Sequence, residues 1–476
     1  MNIYKRVAKN IGYLTAGRGV SMIIGFLYIT LIARYLGPAS YGILAFALAL
    51  NNMFNVLINF GIDPLTIREI ARDKSQTKNY FVNGIVLKIL FGTFTFFVIY
   101  IVLNVLNYSS TTKTVVYLIT LSFIIDSINK LFYDIYLAFE RMIYISTLKI
   151  LRNTMFFLIS MFFIISNLNV IFFALLYLIT SGAIMLTNTI LSGSFLEQST
   201  KIDTHFWRIL IKEAWPFALT SGFITIYYWI DSIMLSYMTG DYYVGIYNAA
   251  YKILSVMLII PTIYFSAIYP IMSKLFKRSK EFLGFSVYQS IKYMSIFGFF
   301  IGVLGYMLSY EIILLIFGKD YISSANALEI LIWSGVCIYL SQPYGYLVKS
   351  INKQKVETTI TAIASILNVS LNFIVIPHYG YIGASATTLI TELFVTLSYI
   401  FYFRKTPFLN ILVIKNIGKT ISISIIMGLI IWTFYKYNVA FGLMLGTFAY
   451  FSGLYMIGVI DSTDVLIFKK VIGVKR

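Results

Sequence analysis

Apolar stretches of about 20 residues alternate with short polar connections along nearly the whole chain, and about 20 such residues are what a helix needs to cross the hydrocarbon core of a bilayer. The pattern predicts an all-α polytopic membrane protein with about 14 transmembrane helices. The spans are placed at 11–33, 39–62, 81–106, 114–137, 147–166, 169–192, 215–238, 244–272, 284–309, 325–348, 357–377, 380–403, 415–436 and 439–460.

Composition excludes a soluble globular protein. The 476 residues are 59% hydrophobic and only 12% charged, whereas soluble domains carry about 25% charged residues. The basic N-terminus leads into an apolar stretch too long for a signal peptide and without a cleavage signal, so it is interpreted as an uncleaved first helix. A single cysteine, Cys337, excludes an intrachain disulfide, and with only two histidines no metal site is expected.

The net charge of +18 is explained by topology. Of the 37 lysines and arginines, 28 lie in one set of alternate connections and four in the opposite set. This asymmetry follows the positive-inside rule and predicts a protein of the plasma membrane with both termini in the cytoplasm. The basic residues are therefore expected to contact membrane lipids, and no nucleic-acid partner is expected.

A weak internal repeat suggests the domain organisation. The segment "LGPASYGILAFALAL" (36–50) resembles "TGDYYVGIYNAAYKIL" (239–254), with Gly42 corresponding to Gly245. Six predicted helices separate the two copies, and an even number makes them parallel repeats about an axis along the membrane normal. The predicted regions are an N-terminal six-helix bundle (1–193), a cytoplasmic amphipathic linker (194–214), a C-terminal six-helix bundle (215–403), and two added helices with a cytoplasmic tail (404–476).

Five cations lie inside predicted spans, and each costs about 2.5–3.5 kcal/mol at a helix centre. They are Arg18, Lys88, Lys130, Lys252 and Lys292. Long side chains can snorkel back to the lipid headgroups. Alternatively, the cations line a water-filled cavity that binds an anionic ligand. Arg18 is the strongest candidate for the second role, because a guanidinium group suits phosphate and its small neighbours favour close helix packing.

Four carboxylates also lie inside spans: Asp126, Asp134, Asp231 and Glu392. Asp126, Lys130 and Asp134 are spaced i, i+4, i+8, which predicts a self-compensating ladder of charges on one helix face. Asp231 is placed at the same depth as Lys252 and is expected to pair with it.

Glu392 has no evident partner nearby in the sequence. It either pairs with Lys88 or Lys292, or carries a coupling proton or Na⁺. Asp126 is the second candidate for ion coupling. Tyr228, beside Tyr227 and Trp229 in "YYWID", is interpreted either as part of the aromatic belt or as a sugar-stacking residue.

Several segments together resemble the polysaccharide-biosynthesis flippases, the O-antigen-type branch of the superfamily that also contains MATE drug exporters and lipid II flippases. They are "LIARYLGPASYGILAFALAL", "GIDPLTIREIARDKS", "AFERMIYISTLKILRN", "WIDSIMLSYMTGDYYVGIYNAAYKI", "FGKDYISSANALEIL" and "YGYIGASATTLITELF". The resemblance implies transport of an undecaprenyl- or dolichyl-linked oligosaccharide from the cytoplasmic to the outer leaflet, by alternating access of two six-helix bundles around a cationic cavity.

On this resemblance, the five intramembrane cations would bind the substrate pyrophosphate. The resemblance also offers Asp231 and Asn248 as cavity-lining positions that contact the sugar, together with Tyr228. No cofactor is expected beyond a coupling proton or Na⁺. The expected partners are the lipid-linked oligosaccharide, membrane lipids, and polysaccharide polymerase or ligase machinery.

Two other functions compete with this hypothesis. A MATE-like, cation-coupled drug exporter would favour carboxylates for its cationic substrates, whereas here five intramembrane cations face four carboxylates. An enzyme such as a polymerase or glycosyltransferase would require a sizeable outer loop or an acidic metal-binding motif, and the loops are short. The sequence therefore predicts a transporter and not an enzyme.

Overall fold

The structure is a computed structural model that describes residues 3–193, 202–408, 411–462 and 464, with side chains from residue 19 onward except those of residues 220 and 411. Nearly every described residue is helical, which confirms the all-α prediction. The helices are α1 (Ile3–Asn59), α2 (Ile62–Arg72), α3 (Thr77–Val105), α4 (Ser110–Ala138), α5 (Met142–Ile165), α6 (Val170–Leu191), α7 (Thr204–Thr239), α8 (Asp241–Met257), α9 (Ile259–Arg278), α10 (Lys280–Met307), α11 (Ser309–Ile316), α12 (Ser324–Ser350), α13 (Gln354–Phe403), α14 (Ile411–Tyr435) and α15 (Val439–Met456).

Eleven helices of the described chain are long and apolar enough to cross a membrane, or twelve if the bent α7 counts as one span. The predicted count of fourteen is not confirmed. The difference arises largely in the spans Gly19–Asn59 and Gln354–Phe403, which are 41 and 50 residues long. At about 1.5 Å per residue, each is roughly twice the 30 Å thickness of the hydrocarbon core.

Both of these long helices contain one glycine with non-helical geometry. Gly37 has φ 70° and ψ 170°, and Gly380 has φ 54° and ψ −133°. A positive φ is strained for any residue with a Cβ atom, so glycine is the residue that allows the chain to turn at these positions. Pro38 and Pro377 lie beside the two breaks and remove further helix hydrogen bonds. The predicted boundaries, between 33 and 39 and between 377 and 380, coincide with the two breaks, so each pair of predicted spans corresponds to the two parts of one broken helix.

The described chain divides into two compact units, residues 1–248 and 249–476. The predicted domain boundaries, which came from the sequence repeat, stay a prediction. Part of the predicted linker, 194–201, lies outside the described residues. Its remainder forms the start of α7, whose first turn is capped by the Asp203 carboxylate accepting from the backbone N–H groups of His205 and Phe206.

In the first unit, α4 packs against α3 and α6. Its face carrying Ile128, Leu131 and Ile135 is buried in an apolar cluster with α2, α5 and α6. Glycines allow α3 to approach closely: a Cβ atom added at Gly92 would lie 2.8 Å from the Ile124 side chain. The close packing brings polar residues of α1, α2, α3 and α4 together.

In the second unit, α10 packs between α12 and the C-terminal helices α14 and α15. Gly298, Gly302 and Gly305 form a small-residue stripe on α10, and α12 side chains lie directly against it. On another face of α10, Ile296 and Val303 belong to an apolar cluster with α14 and α15. The two predicted additional helices are therefore an integral part of this unit.

Candidate functional site

Asp63 lies at the centre of an ionic cluster in the first unit. It is the second residue of α2, which begins directly after Gly61, a residue with a φ of 73°. A helix N-terminus favours negative charge. The Asp63 Oδ1 atom lies 2.6 Å from Lys88 Nζ, and its Oδ2 atom lies 2.7 Å from Lys130 Nζ. One carboxylate thus joins a lysine of α3 to a lysine of α4.

Lys88 is the buried member of this cluster. Its side chain is 0% exposed. Besides Asp63, its ammonium group donates to Asn59 Oδ1 at 2.9 Å and to the Ser127 carbonyl oxygen at 2.8 Å. Three acceptors use all three donor protons. Lys88 therefore neither snorkels nor pairs with Glu392, and it has no proton left for the phosphate that the sequence analysis assigned to it.

Lys130 is the accessible member, with a side chain that is 50% exposed. Of the predicted ladder of Asp126, Lys130 and Asp134, Lys130 and Asp134 interact electrostatically, but the direct ion pairs are made with other helices. Lys130 pairs with Asp63, and Asp126 pairs with Arg152 of α5, the Nη2 to Oδ2 distance being 2.6 Å. The i, i+4 spacing considers only one helix, whereas neighbouring helices supply the partners here.

Asp134 lies in the same cluster, interacting electrostatically with Asp63, Lys88 and Lys130. Its Oδ2 atom is buried and has no hydrogen-bond partner among the described residues. At Asp63, on α2 and outside the spans, burial raises the carboxyl pKa. The two lysines outweigh that effect and hold the pKa below its usual value.

Lys292 in the second unit is bound differently. Its side chain is 1% exposed, and its Nζ atom lies 3.0 Å from Asp461 Oδ2 and 2.6 Å from Asp464 Oδ2. The two aspartates also accept from each other's backbone N–H groups, and the Tyr293 hydroxyl donates to Asp464. Lys292 therefore connects α10 to the segment after α15. Because two carboxylates engage it, it is neither paired with Glu392 nor free for the phosphate assigned to it.

Lys252, on α8, is the remaining predicted lysine. Its ammonium group has no ion pair or hydrogen bond within the part of the chain that the structure describes. Asp231, its predicted partner, accepts a hydrogen bond at 2.8 Å from the Tyr247 hydroxyl in the first unit. Arg18 lies on α1, but its side chain is outside the described residues, so its predicted role stays a prediction.

The predicted sugar-contacting residues lie on α7 and α8. The Asn248 side chain donates to Ser232 Oγ at 3.0 Å. Ser232 follows the buried Asp231 directly in the sequence. Tyr228 is exposed and packs edge-to-face with Tyr227. Glu392 is buried on α13. The structure thus brings Asp231 and Asn248 close together, while the sugar-contacting and ion-coupling roles stay predictions.

The two repeated turns pack directly against each other within the first unit. A Cβ atom added at Gly42 would lie 1.7 Å from the Asp241 carbonyl oxygen, and one at Gly245 would lie 2.0 Å from the Pro38 carbonyl oxygen. Asp241 accepts hydrogen bonds from Ser236 Oγ and Thr112 Oγ1 at 2.6 and 3.2 Å. Only glycine permits such a close approach of two backbones.

Sequence reasoning missed the carboxylates that engage the predicted cations. Asp63 was treated as part of a connecting segment, although its position after Gly61 and at the start of an amphipathic helix is a usable signal. Asp461 and Asp464 follow the last span and give no comparable signal. Among the described residues, no group of three or more His, Cys, Asp or Glu is arranged to hold a metal ion.

Comparison with known proteins now identifies the family. The sequence model of the family described as "Polysaccharide biosynthesis protein" matches residues 7–276, more than half of the chain. The chain belongs to this family. The model of the MatE family also matches residues 216–374. The resemblance found in the sequence is therefore confirmed.

Two relatives carry informative names. The capsular polysaccharide biosynthesis protein CapF of Staphylococcus aureus is 23% identical over 414 residues, which cover 84% of this chain and 100% of CapF. A putative O-antigen transporter of Shigella dysenteriae is 28% identical over 192 residues, covering 40% of this chain and 47% of that protein.

Solved structures share the fold. The lipid II flippase MurJ in an inward closed conformation matches with a TM-score of 0.76 and 16% identity, covering 94% of this chain and 98% of MurJ. An inward-facing multidrug MATE transporter matches with a TM-score of 0.66 and 14% identity, covering 83% of this chain and 98% of that transporter. The chain is thus a multi-pass membrane protein with the fold of these transporters. The prediction of a transporter, in place of an enzyme, is confirmed at the level of family and fold.

Proposed function

We propose that this protein is a flippase that moves a polyprenyl-(pyro)phosphate-linked oligosaccharide from the cytoplasmic to the outer leaflet, for the assembly of a surface polysaccharide. Family membership and the names of the relatives support this class of substrate. The distribution of basic residues supports a plasma-membrane location with both termini in the cytoplasm. After translocation, the oligosaccharide would pass to polymerase or ligase machinery.

The observation that carries the proposal is the half-exposed Lys130 held by Asp63. A phosphate oxygen can replace Asp63 Oδ2 at the Lys130 ammonium group, while Asp63 Oδ1 keeps its contact with Lys88. After the exchange, Asp63 still has Lys88 as its counter-ion. The exchange therefore avoids an unpaired buried carboxylate, which would be costly in a low-dielectric site. Asp63 thus occupies the anion position until the substrate arrives. Arg18 and Lys252 remain additional candidates for the phosphate, and Asp231, Asn248 and Tyr228 for the sugar.

We further propose that a proton, in preference to Na⁺, couples to this cluster at Asp134. A buried carboxylate oxygen without a hydrogen bond is costly when ionised and much less so when protonated. Two lysines and two ionised aspartates sum to zero charge, and protonation of Asp134 changes that sum to +1. The protonated cluster would then attract an anionic headgroup more strongly. Of the two coupling residues predicted from sequence, Asp126 is engaged by Arg152, and Glu392 remains the alternative.

Alternating access requires a contact that can close and reopen. We propose the packing of the two repeated turns at Gly42 and Gly245 for that role. The turns meet through backbone atoms at both glycines, so a small movement of either turn would break the contact.

Translocation in proteoliposomes tests the proposal. Lipid-linked oligosaccharide is reconstituted with the protein, and its appearance in the outer leaflet is followed with an external glycosidase. Hydrogen bonds to charged groups contribute about 1.5–3 kcal/mol, so Lys130→Gln should lower the rate by roughly tenfold or more. Lys113→Gln, on the same helix but hydrogen-bonded to Asn104, is the matched control and should transport normally. Equal rates for Lys130→Gln and wild type would contradict the proposal, and Arg18→Gln tests the remaining prediction.

The same vesicles test the coupling. An imposed pH gradient should change the rate of the wild type but not of Asp134→Asn, and a Na⁺ gradient should have no effect. A response that persists in Asp134→Asn but disappears in Glu392→Gln would assign coupling to Glu392 instead.

A MATE-like drug exporter is the second candidate, favoured by the MatE match over residues 216–374. If the protein is a drug exporter, an ion gradient should drive a cationic dye across the vesicle membrane, and the same vesicles should not translocate the oligosaccharide. The opposite result supports the flippase.

A further inference from the structure

A cavity of about 710 Å³ lies in the second unit between the beginning and the end of α13. This volume lies within the range of about 300–1,000 Å³ that is typical of small-molecule sites. Its lining contains both polar and apolar side chains. Lys355, Thr359 and Ser398 contribute polar groups, and Phe394, Leu397 and Phe401 contribute apolar surface.

The polar end of this cavity is cationic. Lys355 is exposed and lies in the first turn of α13, where the N-cap residue, Lys353, provides no side-chain cap for the backbone N–H groups. A helix N-terminus favours an anion, and here the Val356 N–H group already donates to the Lys353 carbonyl oxygen at 2.9 Å, so Lys355 is the main cationic group of this end. The Arg404 guanidinium group lies 3.8 Å from the centroid of the Phe401 ring, which adds a second cation beside the lining.

The acidic residue of this turn does not offset the two cations. Glu357 pairs with Lys349 at 2.9 Å, and Lys349 is not among the residues that line the cavity. No carboxylate contributes to the described lining. The cavity therefore combines a positive end with no opposing negative group.

The rest of the cavity is suited to a hydrocarbon chain. Phe394 and Phe401 are separated by seven residues, or about 10 Å along a helix. Leu397, between them, is more than half exposed and borders the cavity on the protein surface. An occupant with an anionic head and an apolar tail would satisfy both ends.

We propose that this cavity binds an anionic phospholipid. The phosphate contacts Lys355 at the N-terminus of α13, and an acyl chain lies along Phe394 and Leu397. A zwitterionic lipid would place its own ammonium group near Lys355 and Arg404, so the charge pattern favours a headgroup such as phosphatidylglycerol. The assignment rests on the cavity and its charges and is independent of the transport function proposed above.

Native mass spectrometry of the full chain in detergent tests this site. Phosphatidylglycerol and phosphatidylcholine are titrated separately, and the fraction of lipid-bound protein is measured. Each basic residue near a membrane surface strengthens binding of anionic lipid about fivefold. Lys355→Gln should therefore weaken phosphatidylglycerol binding about fivefold, and the double variant with Arg404→Gln about twentyfold. The matched control is Lys277→Gln, an exposed lysine at the end of α9 in the same unit, which should change binding less than twofold.

Four results would overturn the proposal. Equal binding of the two lipids by the wild type would exclude recognition of the anionic head. An equal loss in Lys277→Gln and Lys355→Gln would indicate a diffuse surface effect. Polyprenyl phosphate that displaces phosphatidylglycerol at an equal or lower concentration would assign the cavity to the transport substrate. Ser398→Trp, which places a bulky indole in the cavity without changing its charge, should weaken binding of both lipids, and unchanged binding would place the lipid elsewhere.

Discussion

Two buried lysines, one in each unit, are neutralised in opposite ways. Lys88 shares one carboxylate, Asp63, with a second lysine that is half exposed. Lys292 instead has two carboxylates to itself, Asp461 and Asp464, one of which is 41% exposed. In the first case the accessible group is a cation, and in the second it is an anion. Both are intramembrane lysines of the same kind in the sequence, yet only the first is arranged to receive an anionic ligand.

The comparison separates structural cations from ligand-binding ones. A lysine whose three protons all have acceptors holds helices together, and removing it leaves those acceptors buried without partners. A lysine that shares its carboxylate with another lysine can exchange it for a ligand at little cost. On this criterion Lys88 is structural and Lys130 is the group available for binding in the first unit. Lys292 has two acceptors, but both are carboxylates that it does not share with another lysine, so it is also interpreted as structural.

The largest expected decrease in the free energy of unfolding comes from replacing Lys88. Lys88→Met removes the donor from Asp63 Oδ1, from Asn59 Oδ1 and from the Ser127 carbonyl oxygen, while Asp63 Oδ2 keeps its contact with Lys130. Breaking a buried ion pair costs about 3–5 kcal/mol, and the free energy of unfolding should fall by that amount. The measurement is denaturant-induced unfolding in detergent. The double variant with Asp63→Asn should recover part of the loss, because it removes the uncompensated charge. A loss below about 1 kcal/mol would show that Lys88 behaves as a surface lysine.

A smaller loss of stability is expected when Lys292, which pairs with Asp461 and Asp464, is replaced. In Lys292→Met the exposed Asp461 can be rehydrated, so chiefly Asp464 loses its partner. The free energy of unfolding should fall by about 1–3 kcal/mol. Transport by the folded fraction should continue, since Lys292 connects helices in this structure. A loss as large as that of Lys88→Met, or a transport defect in folded protein, would remove the distinction between the two clusters.

Most of the fold was predictable from the sequence because it depends on local rules. Apolar length predicted the spans, and the two long helices break at glycines beside prolines, at Gly37 and Gly380, where the pattern had placed a boundary. The repeat drew attention to Gly42 and Gly245. That these glycines contact each other's turns was not predictable, because similarity between two segments carries no information about their packing.

The partners of the charged residues were less predictable, because they come from other helices. Lys88 and Asp63 are 25 residues apart, and Lys292 and Asp461 are 169 apart. A rule for i, i+4 neighbours therefore assigned Lys130 to its own helix, when its carboxylate lies on α2. The sequence predicts that cations lie inside the spans. Whether each cation is available to bind a ligand depends on which carboxylates the neighbouring helices bring to it.

The smallest effect on stability is expected at Lys130. Lys130→Gln removes a half-exposed partner from Asp63, whose other oxygen keeps its contact with buried Lys88. Exposed ion pairs contribute about 0–1 kcal/mol, so the free energy of unfolding should change by no more than that. A ligand-binding lysine combines this small change with a large loss of translocation, whereas a structural lysine shows both effects together. A destabilisation of several kcal/mol would therefore place Lys130 with Lys88 and leave the cluster without a residue that can exchange its carboxylate for a phosphate.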